Sequence, residues 1–130
     1  MVRSAAVFVG GAVGSLARWA VELALPATPG GFPVGTLAVN VSGAFGLGLA
    51  AELLTERLAP RPALRSLIGS GFFGAYTTFS TMALEGVRLL KSGEIATAIF
   101  YWAATLILGQ MAGVYGMWVG RIELPVRRQA

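Results

Sequence analysis

The stretch from Gly69 to Thr81 combines residue types suited to binding a polar species inside a membrane. It reads GSGFFGAYTTFST and lies within an uncharged run long enough to cross a bilayer. Its glycines and β-branched threonines are poor formers of a continuous helix, and irregular backbone at membrane depth occurs only where it is buried in protein or lines a polar pathway. We therefore predict a helix that is interrupted within the membrane and directs carbonyl and hydroxyl oxygens at a bound species. A close-packed face of small residues is the alternative, and it explains the glycines but not Thr77, Thr78, Ser80 and Thr81.

Polar side chains also occur in two other apolar segments. Asn40 carries a hydrogen-bond donor and an acceptor on one amide, and Thr36 and Ser42 lie close to it in the sequence. A lone amide in a membrane typically makes one interhelical hydrogen bond, worth about 0.6 kcal/mol, but the two hydroxyls favour a polar track. Tyr101 and Thr105 share a helix face at i, i+4. Their alternative roles are an interfacial aromatic residue and a hydroxyl bonded to its own helix.

Few residues offer charge or ring chemistry at membrane depth. Phe79 follows the predicted interruption, and the positive edge of its ring can meet an anion, although packing is the commoner role of a phenylalanine. Arg18 and Glu85 are the ionisable groups nearest to membrane depth and are functional candidates, unless they extend to the interface. Arg18 and Glu22 are spaced to pair on one helix face. The sequence has no cysteine and no histidine, and it shows no nucleophile–base pair, so an enzyme is not expected.

The composition requires an integral membrane protein. Of its 130 residues, 55% are hydrophobic and 12% are charged, whereas a soluble domain carries about 25% charged residues. We expect one all-α domain over 1–130, with the first segment retained as a membrane span and not removed as a signal peptide. The net charge of +4 comes from residues near predicted helix ends, and no nucleic-acid-binding motif is present. Four segments approach the length of about 20 residues that a crossing needs: about 5–25, 34–54, 66–90 with an interruption near 74–78, and 95–120.

Small residues and basic residues bear on assembly and orientation. Glycines recur at i, i+4, a spacing that lets helices pack closely in lipid; the pairs are Gly10 and Gly14, Gly109 and Gly113, and Gly116 and Gly120. Four helices form a thin bundle, so we expect a dimer. With four spans, one side of the membrane holds Arg3, Arg57, Arg61, Arg65, Arg121, Arg127 and Arg128, and the other holds Arg88 and Lys91. This bias favours a single orientation with both termini in the cytoplasm.

Three stretches of the chain resemble the small fluoride channels of the Fluc, or CrcB, family. They read GGAVGSLARW, GTLAVNVSGAFGLG and GFFGAYTTFSTMALE, and the resemblance follows the whole chain in order. It implies a broken third helix and an antiparallel, dual-topology homodimer in the cell inner membrane or plasma membrane. The implied function is passive, selective export of fluoride down its electrochemical gradient. The implied dual topology conflicts with the one-sided arginines, and both readings stay open at this point.

The resemblance also implies roles for individual residues. Backbone carbonyls of Gly74 and Thr77 would hold a structural sodium ion on the dimer axis. The chain departs from the family at Met82, where relatives usually carry a second phenylalanine and methionine lacks a ring edge. Ser42, two residues after Asn40, is placed at the vestibule or pore end together with Arg18 and Glu85. The fluoride pathway is assigned to Asn40, Phe79, Thr81, Met82, Tyr101 and Thr105.

Two other classes of membrane protein are consistent with four spans. A small dual-topology, proton-coupled multidrug transporter needs a carboxylate deep in the first span, and Glu22 lies near the end of that span beside Arg18. A non-conducting scaffold subunit accounts for the packing glycines but gives no reason for the threonine-rich stretch.

Overall fold

The chain folds as a bundle of helices connected by short turns. The computed structural model describes residues 1–56 and 61–122, with only the backbone described at 55 and 56, and this part of the chain contains no strand. The elements in chain order are α1 Val2–Ala24, α2 Val34–Glu56, α3 Pro62–Ser66, a π-helical segment Leu67–Phe73, α4 Gly74–Tyr76, α5 Phe79–Lys91 and α6 Ile95–Ile122.

Three of these helices are long and apolar enough to cross a membrane. They cover Val2–Ala24, Val34–Leu54 and Ile95–Ile122. Large apolar side chains on the outer faces of α1 and α6 are exposed, among them Phe8, Trp19 and Leu106, as expected of a surface that faces lipid. The third predicted span is divided among α3, the π-helical segment, α4 and α5.

Helix α2 packs closely against α6. At Gly48 an added Cβ would overlap the carbonyl oxygen of Gly113, and at Gly116 it would overlap that of Phe45. The two backbones are therefore in direct contact, as the small-residue spacing predicts for a membrane interface. Gly109 differs, because a Cβ added there would have no atom within 4 Å.

Helix α1 packs in the same way against the π-helical segment. Gly10 and Gly14 are buried, and an added Cβ at either would overlap a carbonyl oxygen, that of Leu67 or of Phe72. At Gly71 an added Cβ would lie 3.0 Å from the Cα of Gly10. Glycines on both sides of this contact therefore let α1 support the segment that leads into α4.

The pairing of charged side chains predicted on α1 is wrong. Arg18 and Glu22 form no ion pair. The ion pair found among residues 1–56 and 61–122 instead joins Arg121 Nε to Glu52 Oε1 at 2.9 Å, which ties the end of α6 to α2. Of the basic residues behind the predicted orientation, three lie outside the described residues: Arg57, Arg127 and Arg128.

Candidate functional site

The backbone leaves helical geometry at two consecutive threonines between α4 and α5. Thr77 has φ −74° and ψ 154°, and Thr78 has φ −144° and ψ 118°, both extended. The residues before and after them are helical. The interruption lies within the stretch from Gly69 to Thr81 in which the composition predicts one.

Asn40 of α2 holds this interruption through two hydrogen bonds to one residue. Its Nδ2 donates to the Thr78 carbonyl oxygen at 3.0 Å, and its Oδ1 accepts from the Thr78 N–H at 2.8 Å. We call this pair of bonds the amide clamp. A side-chain amide matches an extended peptide group because each carries one donor and one acceptor at similar spacing. At Gly43, a turn later on α2, an added Cβ would overlap the methyl group of Thr77, so the interruption fits closely against α2.

Thr78 also begins α5. Its Oγ1 accepts from the Thr81 N–H at 3.1 Å, an N-terminal cap, and lies 3.0 Å from Thr81 Oγ1. Such a cap contributes about 1 kcal/mol to helix stability. One threonine therefore connects the amide clamp to the first turn of α5 and to the predicted pathway residue Thr81.

The same hydrogen bonds explain how the carbonyls of Gly74 and Thr77 differ from ordinary helical carbonyls. In a continuous helix the Gly74 oxygen would accept from the Thr78 N–H, and the Thr77 oxygen would accept from the Thr81 N–H. Here the Thr78 N–H donates to Asn40 instead, and the Thr81 N–H donates to Thr78 Oγ1. Carbonyl oxygens released in this way can coordinate a hard cation such as sodium. No cluster of three or more acidic, histidine or cysteine residues occurs within the described ranges.

A second polar cluster lies between α2, α5 and α6. Glu85 Oε1 accepts from Thr36 Oγ1 at 3.0 Å, and Glu85 Oε2 accepts from the Tyr101 hydroxyl at 2.7 Å. Thr36 is 2% exposed and Tyr101 is fully buried. Because both carboxylate oxygens accept short bonds, Glu85 is held in one orientation. The assignment of site residues from sequence omits Thr36 as a partner of Glu85, although its position four residues before Asn40 places it on the same face of α2.

Two cavities meet at Glu85. The smaller, of about 100 Å³, is lined in part by Glu22, Thr36, Thr81 and Glu85. The Oε1 atom of Glu22 is buried and has no hydrogen-bond partner among residues 1–56 and 61–122. The larger, of about 390 Å³, is lined by Glu85, Arg88 and the turn between α1 and α2. Glu85 therefore lines both cavities, of which the smaller also reaches Thr81 and the larger also reaches Arg88.

The remaining predicted site residues lie in different surroundings. Phe79 is 76% exposed on α5, whereas Met82 is 5% exposed and packs in a core cluster with Leu89, Ala98 and Tyr101. The Thr105 hydroxyl is buried and donates to the Tyr101 carbonyl of its own helix at 2.8 Å, the alternative role considered for it. Arg18 is half-buried on α1, and Ser42 is exposed on α2.

Apolar helices around a line of hydroxyl, amide and carboxylate groups define a multi-pass membrane protein with a polar interior. The model of the family described as CrcB-like protein, Camphor Resistance (CrcB), matches residues 5–117. The chain therefore belongs to the CrcB family, and the resemblance read from the sequence is confirmed.

Curated relatives resemble the chain over most of its length. It is 39% identical over 115 residues to the "Fluoride-specific ion channel FluC" of Hydrogenobaculum sp. (strain Y04AAS1), covering 88% of this chain and 94% of the relative. It is 44% identical over 115 residues to the protein of the same name from Acidobacterium capsulatum, covering 88% and 92%. It is 45% identical over 112 residues to "Fluoride-specific ion channel FluC 1" of Yersinia pestis, covering 86% and 84%.

Proposed function

We propose that this chain is a fluoride-selective ion channel, and not an enzyme, that lets fluoride leave the cell passively. The relatives described above carry the name of a fluoride-specific channel. The observation that carries the proposal is a series of polar groups in an apolar bundle, joined by hydrogen bonds and one shared cavity. Asn40 bonds Thr78, Thr78 bonds Thr81, Thr81 shares a cavity with Glu85, and Glu85 bonds Tyr101.

This line of groups suits a small, strongly hydrated anion. A channel must replace the hydration shell of the ion, and it must bind the ion weakly enough to release it. Hydroxyl and amide groups donate hydrogen bonds without adding a full positive charge that would trap an anion. In this proposal fluoride passes Asn40 and Thr81, with the exposed ring of Phe79 beside it, and Glu85, held by Thr36 and Tyr101, lies at the pore end.

Met82 and Thr105 have indirect roles in the proposed pathway. The Met82 side chain is part of the core cluster around Tyr101, and the Thr105 hydroxyl bonds the Tyr101 carbonyl. Both therefore help to position Tyr101, whose hydroxyl holds Glu85. Arg18 and Ser42 are proposed to lie where the pathway meets water, at positions that the resemblance and the neighbourhood of Asn40 imply.

The third membrane span of the proposed channel consists of α3, the π-helical segment, α4 and α5, interrupted at Thr77 and Thr78. Two copies inserted in opposite directions would bring two interruptions together, and the carbonyls of Gly74 and Thr77 would hold one sodium ion between them. That ion supplies positive charge near the anion pathway and links the two copies. The released state of these carbonyls supports this part of the proposal.

The membrane potential provides the driving force for export. It is worth about 2.3 kcal/mol per elementary charge per 100 mV, so a negative cell interior drives an anion outward. Fluoride that enters as the neutral acid and ionises inside would accumulate without such an exit. The proposed role is therefore resistance to fluoride.

Efflux from liposomes separates this proposal from its alternatives. Purified protein is reconstituted into liposomes loaded with fluoride and chloride, and ion-selective electrodes record what is released when the membrane potential is clamped. Release of fluoride without a proton gradient, with chloride retained, supports the channel. Proton-coupled movement of an organic cation would identify a transporter. The absence of both fluoride and cation flux would support the non-conducting scaffold subunit.

A further inference from the structure

A tyrosine next to the interruption has a hydroxyl group that the predicted pathway does not use. Tyr76 is the last residue of α4 and directly precedes the extended Thr77. Its hydroxyl oxygen lies 3.0 Å from Ser42 Oγ on α2, and the bond between them is exposed on the surface of this chain. Exposed hydroxyls on segments at membrane depth face water or another protein surface more readily than lipid.

The ring of Tyr76 is fixed by its neighbours. It stacks on Phe72 with ring centroids 5.7 Å apart and an angle of 9° between the planes. It also lies against α2 at a glycine, because a Cβ added to Gly43 would be 3.0 Å from Tyr76 Cδ1. The hydroxyl is therefore presented at a defined place against α2, at Ser42.

The hydrogen bonds around Ser42 indicate which of the two hydroxyl groups, that of Ser42 or that of Tyr76, is the donor in the bond between them. Ser42 has one hydroxyl proton, and its Oγ lies 2.6 Å from the Ala38 carbonyl and 3.3 Å from that of Val39. A carbonyl can only accept, so the Ser42 proton is donated to Ala38. In the bond between the two hydroxyls the Tyr76 O–H is then the donor, and Ser42 Oγ is the acceptor.

We propose that Tyr76 is an additional fluoride donor, placed where the pathway opens beside the interruption; this rests on the proposed channel function. A fluoride ion arriving there can accept the Tyr76 proton in place of Ser42 Oγ, while Ser42 keeps its bond to Ala38. The exchange replaces a neutral hydrogen bond by a charge-assisted one, which is roughly twice as strong. Tyr76 must give up its bond to Ser42 Oγ to donate to fluoride, which limits the net gain and allows the ion to leave, as conduction requires.

The test compares two tyrosine-to-phenylalanine variants in the liposome efflux assay. Tyr76→Phe removes the hydroxyl and keeps the stacked ring, and fluoride efflux is expected to fall about tenfold, the effect of one lost hydrogen bond to a charged group. Tyr115→Phe is the matched control, because Tyr115 is also a partly exposed, ring-stacked tyrosine, packed against Phe45 and Trp118. It is expected to conduct like the unmodified protein.

A third variant, Ser42→Ala, distinguishes a hydrogen bond donated to fluoride by Tyr76 from a structural role of the bond between Tyr76 and Ser42. Ser42→Ala and Tyr76→Phe remove the same bond between α2 and α4, so a purely structural role of that bond predicts equal losses of flux. If Tyr76 donates to fluoride, Ser42→Ala loses clearly less flux than Tyr76→Phe. Equal losses in these two variants, or full flux in Tyr76→Phe, overturn the inference, whereas absence of fluoride flux in the unmodified protein overturns the channel function itself.

Discussion

Replacing Asn40 by aspartate tests the amide clamp and the proposed pathway together. In the native protein the Asn40 amide donates to the Thr78 carbonyl at 3.0 Å and accepts from the Thr78 N–H at 2.8 Å. Aspartate keeps the acceptor but replaces the donor with an oxygen that faces another oxygen. It also places a negative charge beside the proposed route of an anion.

The expected effect of Asn40→Asp is large. Leaving one polar group without its partner costs about 1–3 kcal/mol. Two like charges about 4 Å apart repel by about 4 kcal/mol at an effective dielectric constant of about 20. Because each 1.4 kcal/mol corresponds to a factor of about ten, the electrostatic term alone predicts a loss of fluoride flux of about a thousandfold.

The assay is fluoride efflux from liposomes, with thermal unfolding of the purified variant recorded beside it. Asn40→Ala is the companion variant, because it removes both bonds of the clamp without adding charge. We expect Asn40→Ala to unfold at a lower temperature and to conduct more than Asn40→Asp. Flux in Asn40→Asp within a few-fold of the native value would refute the placement of Asn40 in the pathway, and equal flux in the two variants would refute the electrostatic argument.

Three further predictions concern packing, Glu85 and sodium. Gly116→Ala is expected to destabilise the protein by about 1–3 kcal/mol, because its Cβ would overlap a carbonyl oxygen of α2. Gly109→Ala is the control, because a Cβ at Gly109 has open space. Equal melting temperatures of the two variants would contradict this packing. Glu85→Gln removes one of the two acceptors that hold Thr36 and Tyr101, so the purified variant is expected to melt at a lower temperature than the native protein. The exposed Glu94→Gln is expected to melt normally, and equal melting temperatures of the two variants would contradict the structural role of the second cluster. Exchanging sodium for a large organic cation is expected to lower the melting temperature of the purified protein, because the proposed sodium ion would no longer bridge the carbonyls of Gly74 and Thr77. An unchanged melting temperature would argue against the sodium site.

The sequence predicts the long helices, and it places glycines and threonines where the backbone is extended, because both features follow from local chemistry. Long apolar runs give α1, α2 and α6, and the threonine pair after a glycine-rich stretch gives the extended backbone at Thr77 and Thr78. It does not predict that Asn40 is engaged on both sides of its amide by Thr78, because that contact joins residues 38 positions apart. Long-range pairing of this kind depends on how α2 and α4 pack, which no local pattern specifies.

Side-chain direction on a helix is the other limit of sequence reasoning. Phe79 and Met82 lie three positions apart in one stretch of sequence, yet Met82 points into the core and Phe79 points outward. Thr36 attracts little attention as a single threonine, but helix packing brings it to Glu85. The spacing of small residues likewise predicts contact at Gly109 as well as at Gly116, and the two differ because of what stands opposite each of them.

The central claim is that the protein conducts fluoride passively and selectively, and the reversal potential of its current measures this most directly. Reconstituted protein in a planar bilayer, with a tenfold gradient of fluoride and equal chloride on both sides, should give a current that reverses about 59 mV from zero, the value for a monovalent ion, in the direction set by fluoride. Reversal near zero, or a reversal that follows chloride or protons when their gradients are changed, would contradict the claim.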